Sequence, residues 1–341
     1  MKINNDIMQL LNNNLVENTS TIKPIEKLNT NSNYTSIENP SQKDNRIMYL
    51  IDEITEGIYK IFKQGDSNDK DSFHSVTAIK EYYREEIKEL DRLLTMDDIT
   101  IKYGNNIGIY FRNKKIGYLS MGNKKLVENK HSCFLVWSII GKISCNCKTP
   151  NCTKFCYNGC RETKGVLSTK IHNLILSFLG IFEPLMEKII SNHENCKNKK
   201  VYVRIHEDGD FYNTEYFFKW RRIAKDLDDK NIKFMAYTKE DFILKNYNKF
   251  VMDNFVLRYS IVDDTSKENI EYATKNGVPT YIVLGEKKVI YGAFNPNNEK
   301  HIEYMSFKNK IANRKDGCCG SCEYCKKCYN NAVQNIFTVI H

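Results

Sequence analysis

Apolar residues recur at three- and four-residue intervals over 46–62, at Ile47, Leu50, Ile51, Ile54, Ile58 and Ile61. That is the spacing of a helix with one buried face. The polar stretch 65–72 breaks it. A second, highly charged helix is predicted over 76–94, with Ile79, Tyr82, Ile87, Leu90 and Leu94 as its apolar stripe. At Thr100 the period changes. Ile101, Tyr103, Ile107, Ile109, Phe111, Ile116 and Tyr118, with turns at 104–106 and 113–115, predict a small antiparallel meander. The run 133–140 is continuously apolar and bounded by turn residues, the pattern of a fully buried strand. It leads through Gly141 and Lys142 into a cysteine-rich loop.

After that loop a broad apolar face over 164–191 predicts a long helix, which Pro184 either kinks or restarts. Strand and helix patterns then alternate: strands over 201–205, 232–237, 255–261 and 280–284, the last extended by 289–291, with helices over 214–227, 241–250 and 266–276. Gly277 ends the last of these. Alternation at this pace implies parallel strands joined by right-handed crossovers. The fold class is α/β: a partial or complete βα barrel, with an open doubly wound sheet as the alternative. Its expected organisation is a disordered Asn/Ser-rich leader over 1–45, helices and meander over 46–130, the barrel-like core over 131–300 and a cysteine-rich segment over 301–341.

The leader carries few large apolar residues, as disordered segments do. Nothing in 1–20 reads as a signal peptide, and no apolar run has the length of a membrane span. With 51 basic against 42 acidic residues the net charge is +9. That permits contact with nucleic acid, although a solvated lysine-rich surface is the better explanation. A cytoplasmic protein with reduced thiols and no membrane partner is the expectation.

The cysteines change the picture. Five of twelve fall in 145–160 and five in 318–328. Core cysteines scatter along a chain; clustered ones let short loops converge thiolates on a metal or an iron–sulfur cluster. In the first group, Cys145, Cys152 and Cys156 form one ligand triplet, and Cys147 or Cys160 supplies alternatives. Three thiolates leave one iron of a four-iron cluster open; four close it. In the second group, Cys319, Cys322, Cys325 and Cys328 repeat the two-residue spacing of ferredoxin-type ligation. Cys318 is a spare, and zinc is the alternative metal. Cys133 reads as a core cysteine and Cys196 as an ordinary free thiol.

In parallel βα folds ligands collect at the carboxyl ends of the strands. That edge holds the cysteine loop, Glu207, Asp208, Gly209 and Asp210 after the second parallel strand, Lys239 and Glu240 after the third, and Asp263 and Asp264 after the fourth. Glu207, Asp208 and Asp210 are the candidate cofactor-binding residues. A helix-capping turn made by Asp210 or Asn213 is the plainer explanation, and His206 reads as a hydrogen-bonded loop residue.

The placement of the first cysteine loop resembles the radical S-adenosylmethionine (SAM) superfamily, as do Phe155 beside Cys156 and the cysteine-rich C-terminus. The spacing departs from that superfamily's C-x3-C-x2-C, and residues 207–210 are a loose analogue of its Gly-Gly-Glu turn. A closer resemblance is to the gene product 88 family of phages and plasmids. It is carried by Trp137-Ser138, Gly141, Cys145, Thr149-Pro150, Cys152 and Cys156-Tyr157, by Arg204-Ile205-His206-x3-Asp210-Phe211-Tyr212, by Ala236-Tyr237-Thr238-Lys239, and by Cys322-x2-Cys325-x2-Cys328. This resemblance spans roughly 130–330 and implies Cys145, Cys152 and Cys156 as the first ligand set. Together these features imply two [4Fe–4S] clusters, SAM as a cofactor and a flavodoxin or ferredoxin as reductant. A zinc- or cluster-stapled binding protein and a closed-cluster redox protein are the alternatives.

Overall fold

The computed structural model describes residues 40–64, 75–122, 129, 131–150, 152, 163–192, 196, 198–228, 231–284, 317–318 and 325–339. The chain divides into two compact units, Met1–Asn45 and Arg46–His341. Of the first, only the opening of helix α1 (Pro40–Gln64) is described. The helix predicted from 46 thus starts six residues earlier. Pro40 suits that position, because a first-turn residue has no intrahelical partner for an N–H. The leader before it lies outside the described residues.

The second predicted helix is two, α2 (Val76–Tyr82) and α3 (Arg84–Leu93). Tyr83 leaves the helical region between them (φ −96°, ψ 25°), and its ring lies where Gly57 of α1 has no side chain. Arg46 pairs with Glu89 through both carboxylate oxygens, at 2.9 and 2.5 Å, and ties α1 to α3.

The meander forms as expected from β1 (Ile99–Lys102), β2 (Asn106–Phe111) and β3 (Lys114–Ser120), all antiparallel. β3 joins β4 (Ser132–Trp137), whose six residues are all buried. From there pairing is parallel through β5 (Lys200–Ile205), β6 (Ile232–Thr238), β7 (Phe255–Ile261), β8 (Thr280–Leu284) and β9 (Asn335–Val339). The nine strands lie in sequence order. An order without reversal has no switch point of the doubly wound kind; it is the order a βα barrel uses. β9 is a correction to the sequence reading, which placed only a cysteine-rich segment there. The extension of β8 over 289–291 lies outside the described residues.

Helices α4 (Lys164–Phe178), α5 (Phe182–Ser191), α6 (Thr214–Asp226), α7 (Asp241–Lys245), α8 (Tyr247–Phe250) and α9 (Lys267–Lys275) complete the described helices. The long helix predicted over 164–191 is therefore two, with Pro184 in the first turn of the second. Lys219 secures the break: its buried ammonium donates to the carbonyls of Ser177 and Leu179, at 3.0 and 2.9 Å. No helix among the described residues is long and apolar enough to cross a membrane.

Alternation sends successive strand residues to opposite faces. Trp137 of β4 packs among Phe182 of α5 and Trp220 of α6. On the other face Phe134, Val136, Tyr202 and Met235 pack against Cys328 and Tyr329 of the C-terminal segment. Arg258 of β7 anchors that segment. It is fully buried, and it donates to the carbonyls of Cys328 (3.1 Å), Val333 (2.8 Å), Lys327 (2.9 Å) and Asn330 (2.9 Å), with Gln334 farther at 3.4 Å.

Cys133 and Cys196 form a disulfide, with Cα atoms 5.3 Å apart. Cys133 is a core residue as expected. The readings of Cys196 as a free thiol and of every cysteine as reduced are corrected. The cause is the parallel start of β4 and β5. Lys200 N donates to His131 O at 3.0 Å and Lys199 N to Cys196 O at 3.0 Å, so the turn before β5 lies over Cys133.

Candidate functional site

β4 ends at Trp137, three residues short of the predicted run. Ile139 N donates to Asp208 O (3.2 Å) and Ser144 Oγ to Ile140 O (2.5 Å), so Ile139 and Ile140 turn over the carboxyl edge as buried loop residues. This turn launches the first cysteine loop. Asn146 then ties it to two neighbours: its N–H donates to Glu240 Oε1 (3.2 Å) and its side-chain amide to Tyr212 O (2.7 Å). Cys147 donates to Glu240 Oε2 at 3.7 Å. Cys152 N donates to Thr149 Oγ1 at 3.1 Å.

The β5 loop begins with two residues at positive φ, His206 (64°) and Gly209 (88°). At Gly209 a Cβ would stand 2.5 Å from Ile139 Cγ1 and 2.9 Å from Ser144 Oγ, so glycine lets the β4 and β5 loops touch. His206 N donates to Trp137 O at 2.8 Å. The His206 ring is buried, with Nε2 3.0 Å from Tyr216 Oη, which also accepts from Trp137 Nε1 at 2.9 Å. Burial without a counter-charge lowers the His206 pKa to about 3, so the imidazole is neutral.

The acidic candidates separate here. Asp208 accepts from Gly141 N (3.3 Å), Gly209 N (3.0 Å) and Lys170 Nζ (2.6 Å). Asp210 accepts from Phe211 N and Lys239 N, both at 2.8 Å. Both carboxylates are buried and join one loop to the next. Glu207 is partly exposed, 3.9 Å from Arg204. Asn213, rather than Asp210, caps α6 by accepting from Tyr216 N at 2.9 Å.

Lys239 and Glu240 follow β6 into the middle of this edge. Lys239 Nζ donates to Ser260 O at 2.8 Å. Burial lowers its pKa, and Cys152, Asp210, Asp264 and Cys145 pull it back up. Burial, reinforced by Asp210, raises the Glu240 carboxyl to about 8. Burial and then Glu240 push the Cys147 thiol up to about 12. Burial also raises Cys152, against the pull of Lys239. Burial raises Asp210 to about 6, while the Lys239 and Phe211 backbone N–H groups and the Thr238 hydroxyl oppose it.

Cys328 packs on the sheet face that carries Phe134, Val136, Tyr202 and Met235. Tyr237 Oη donates to Cys328 Sγ at 2.8 Å. Cys318 packs with Tyr237, Tyr281 and Cys328, and its N–H donates to Phe337 O at 2.7 Å. Cys325 is half-buried. Cys156, Cys160, Cys319 and Cys322 lie outside the described residues. Among the described residues no three His, Cys, Asp or Glu side chains form a metal-binding group.

Three contributors escaped the sequence reading. Lys170 carried no signal beyond a charge on a helix. Tyr237 entered only as a residue of the family motif, with no role of its own. Arg258 did leave a mark: a lone arginine inside Phe255–Ile261, an otherwise apolar strand.

The sequence model of the family described as Gene product 88 matches residues 117–331. The Gene 88 protein of Mycobacterium phage L5 is 28% identical over 192 residues, which is 52% of this chain and 77% of that protein. The Gene 88 protein of Mycobacterium phage D29 is 32% identical over 105 residues, 28% of this chain and 42% of that protein. No solved structure matches. These matches support the second resemblance drawn from the sequence and not the radical SAM one.

Proposed function

The chain belongs to the Gene product 88 family, and on that footing we propose that it is an iron–sulfur protein of a mobile genetic element. Cys145, Cys152 and Cys156 would hold a cluster at the carboxyl edge of the parallel strands, and the C-terminal cysteines a second one. The observation that carries this reading is the place of the first cysteine loop over the carboxyl edge of the strands, where Asn146 and Cys147 are tied to Glu240 and Tyr212. Thiolates in a half-buried site need cationic and hydrogen-bonded surroundings, and Lys239 with the neighbouring backbone supplies them. The donor set fits: soft sulfur ligands on a short loop over the end of a parallel sheet.

Cys147 favours an open cluster over a closed one. Its thiol donates to Glu240 Oε2 at 3.7 Å, so it stands as a hydrogen-bond donor rather than a fourth thiolate. A cluster held here with one iron open would supply a ligand such as SAM with one electron, itself received from a reductant such as a flavodoxin or ferredoxin. On this reading the protein is a radical-SAM-like enzyme in a barrel-like sheet. Its own residues would then do three things. Asp208 and Asp210 hold the loops in register, Lys239 would balance the thiolate charge, and the partly exposed Glu207 would contact the cofactor.

Metal and sulfide analysis of anaerobically purified protein tests this, with electron paramagnetic resonance of the reduced sample before and after SAM. Two four-iron clusters mean about eight iron and eight sulfide per chain, and SAM should move one signal. Iron with no response to SAM removes the enzymatic step and leaves a redox protein. Two zinc ions without iron overturn the proposal in favour of a metal-stapled binding protein.

A further inference from the structure

The two faces of the meander differ. Ile107, Ile109, Phe111, Ile116 and Leu119 are buried on the inner one, where Gly117 leaves room for Leu176 of α4. The outer face alternates rings and ammonium groups. Cross-strand pairing sets its rows: Thr100, Tyr110 and Lys115 in one, Lys102, Gly108 and Tyr118 in the next. A bulge at Ile109 and Tyr110 makes this arrangement possible. Ile116 is the extra residue and is buried, so Lys115 and Tyr118, three apart, both turn outward. Lys115 Nζ stands 4.4 Å from the centre of the Tyr118 ring, and Lys102 Nζ 4.6 Å from that of Tyr110. The Tyr110 ring lies across Gly108, where a Cβ would meet its Cε2 at 2.4 Å. Thr100 and Lys102 are exposed, and Tyr110, Lys115 and Tyr118 partly so. The two tyrosines are diagonal neighbours, roughly 7–8 Å apart on the sheet.

We propose that this outer face binds single-stranded DNA, with bases stacked on Tyr110 and Tyr118 and phosphates held by Lys102 and Lys115. Rings on an open sheet accept the flat face of any base, and ammonium groups beside them neutralise the backbone. A cation–π contact is weak at an exposed site, so a base can take the ring while the lysine moves to the adjoining phosphate. The charges are available. Lys114, on the inner face, pairs with Asp52 of α1, whereas among the described residues no carboxylate pairs with Lys102 or Lys115. Burial, then the charge of Glu207, raises the Tyr118 phenol, so the positive patch ends at that ring. The net charge of +9 favours a polyanion as the occupant. DNA rather than RNA follows from what the face offers. Rings and ammonium groups do not read a ribose hydroxyl. Ser120 and Asn106, in the row beyond, are already engaged: Ser120 Oγ donates to Gly122 O at 2.7 Å, and Asn106 Oδ1 accepts from Met121 N at 3.2 Å. The inference is independent of the iron–sulfur reading.

The test titrates the full chain into a fluorescently labelled oligothymidine of about 12 nucleotides and reads anisotropy at several salt concentrations. Wild-type protein should bind, more weakly as salt rises. Tyr110→Ala should weaken binding roughly tenfold by removing one stacking ring, while Tyr110→Phe, which keeps the ring, should bind as wild type. Lys102→Gln should lower the salt slope by about 0.7, the share of one phosphate contact on a single strand. Lys102 is exposed, so this variant folds and gives an answer even if Tyr110→Ala does not. Three results would overturn the inference: wild-type protein that leaves the oligonucleotide free, a folded Tyr110→Ala that binds as wild type, or a Lys102→Gln with an unchanged salt slope. Oligouridine or duplex DNA of the same length, bound about tenfold more tightly than the single strand of DNA, would overturn it as well.

Discussion

Replacing Arg258 with methionine should release the C-terminal segment before the rest of the sheet unfolds. The guanidinium of Arg258 makes four contacts of 2.8–3.1 Å to carbonyls of Lys327, Cys328, Asn330 and Val333, and one of 3.4 Å to Gln334. It is fully buried, and no carboxylate is among these partners. Burial lowers its pKa, yet arginine starts so high that it stays charged. A hydrogen bond to a charged group contributes about 1.5–3 kcal/mol. Four such bonds gross roughly 6–12 kcal/mol, against a desolvation cost of several kcal/mol for the buried cation. The net loss expected for Arg258→Met is about 3–5 kcal/mol, because the apolar chain refills the volume while the carbonyls are left without donors. Urea unfolding gives the total. Hydrogen exchange read by mass spectrometry locates it: amides of 327–339 should lose protection while those of β4–β7 keep theirs. Arg258→Lys should recover only part of the loss, since one ammonium cannot span carbonyls arranged around a planar fork. A methionine variant within about 1 kcal/mol of wild type, or one whose protection falls evenly across the sheet, would refute the reasoning.

Gly209→Ala should destabilise the protein by about 2 kcal/mol or more, because it combines a left-handed backbone with a Cβ pressed on Ile139 and Ser144. It should also change the rate at which the Cys145 thiol is alkylated; an unaltered melting temperature and labelling rate would show that the two loops do not touch as described. His206→Asn should flatten the acid limb of stability. The native pKa near 3 lies below the unfolded value of 6.5, so the unfolded chain takes the proton first and stability falls as pH drops from 6.5 towards 3. Between pH 6.5 and 4 this amounts to roughly 3 kcal/mol. Asn tolerates the positive φ of this position. Urea titrations across that range should give a smaller pH slope for the variant, and equal slopes would contradict the buried neutral imidazole.

Hydrophobic period alone located the meander, the parallel strands β4 to β8 and the helices between them. These elements bury one or both faces, so apolar spacing records them directly. It also placed the first cysteine group after a strand, and the motif residues from Trp137 to Cys328 pointed to the family. The period did not reveal the helix breaks at Tyr83 and around Gly180. Each depends on a side chain from elsewhere in the fold, the Tyr83 ring on Gly57 and the Lys219 ammonium on the α4 carbonyls. β9 was missed because five residues beside a cysteine run give too short a pattern.

The sequence by itself determined the class of fold, the order of its elements and the residue types available for chemistry, since these rest on local spacing and composition. Tertiary structure alone decided how those residues divide. Asp208 and Asp210 tie one loop to the next, because backbone N–H groups of distant segments converge on them. Cys147 went to Glu240, and Cys196 bonded to Cys133 across 63 residues. Such partnerships depend on which strand ends lie side by side, a quantity no local window of sequence contains.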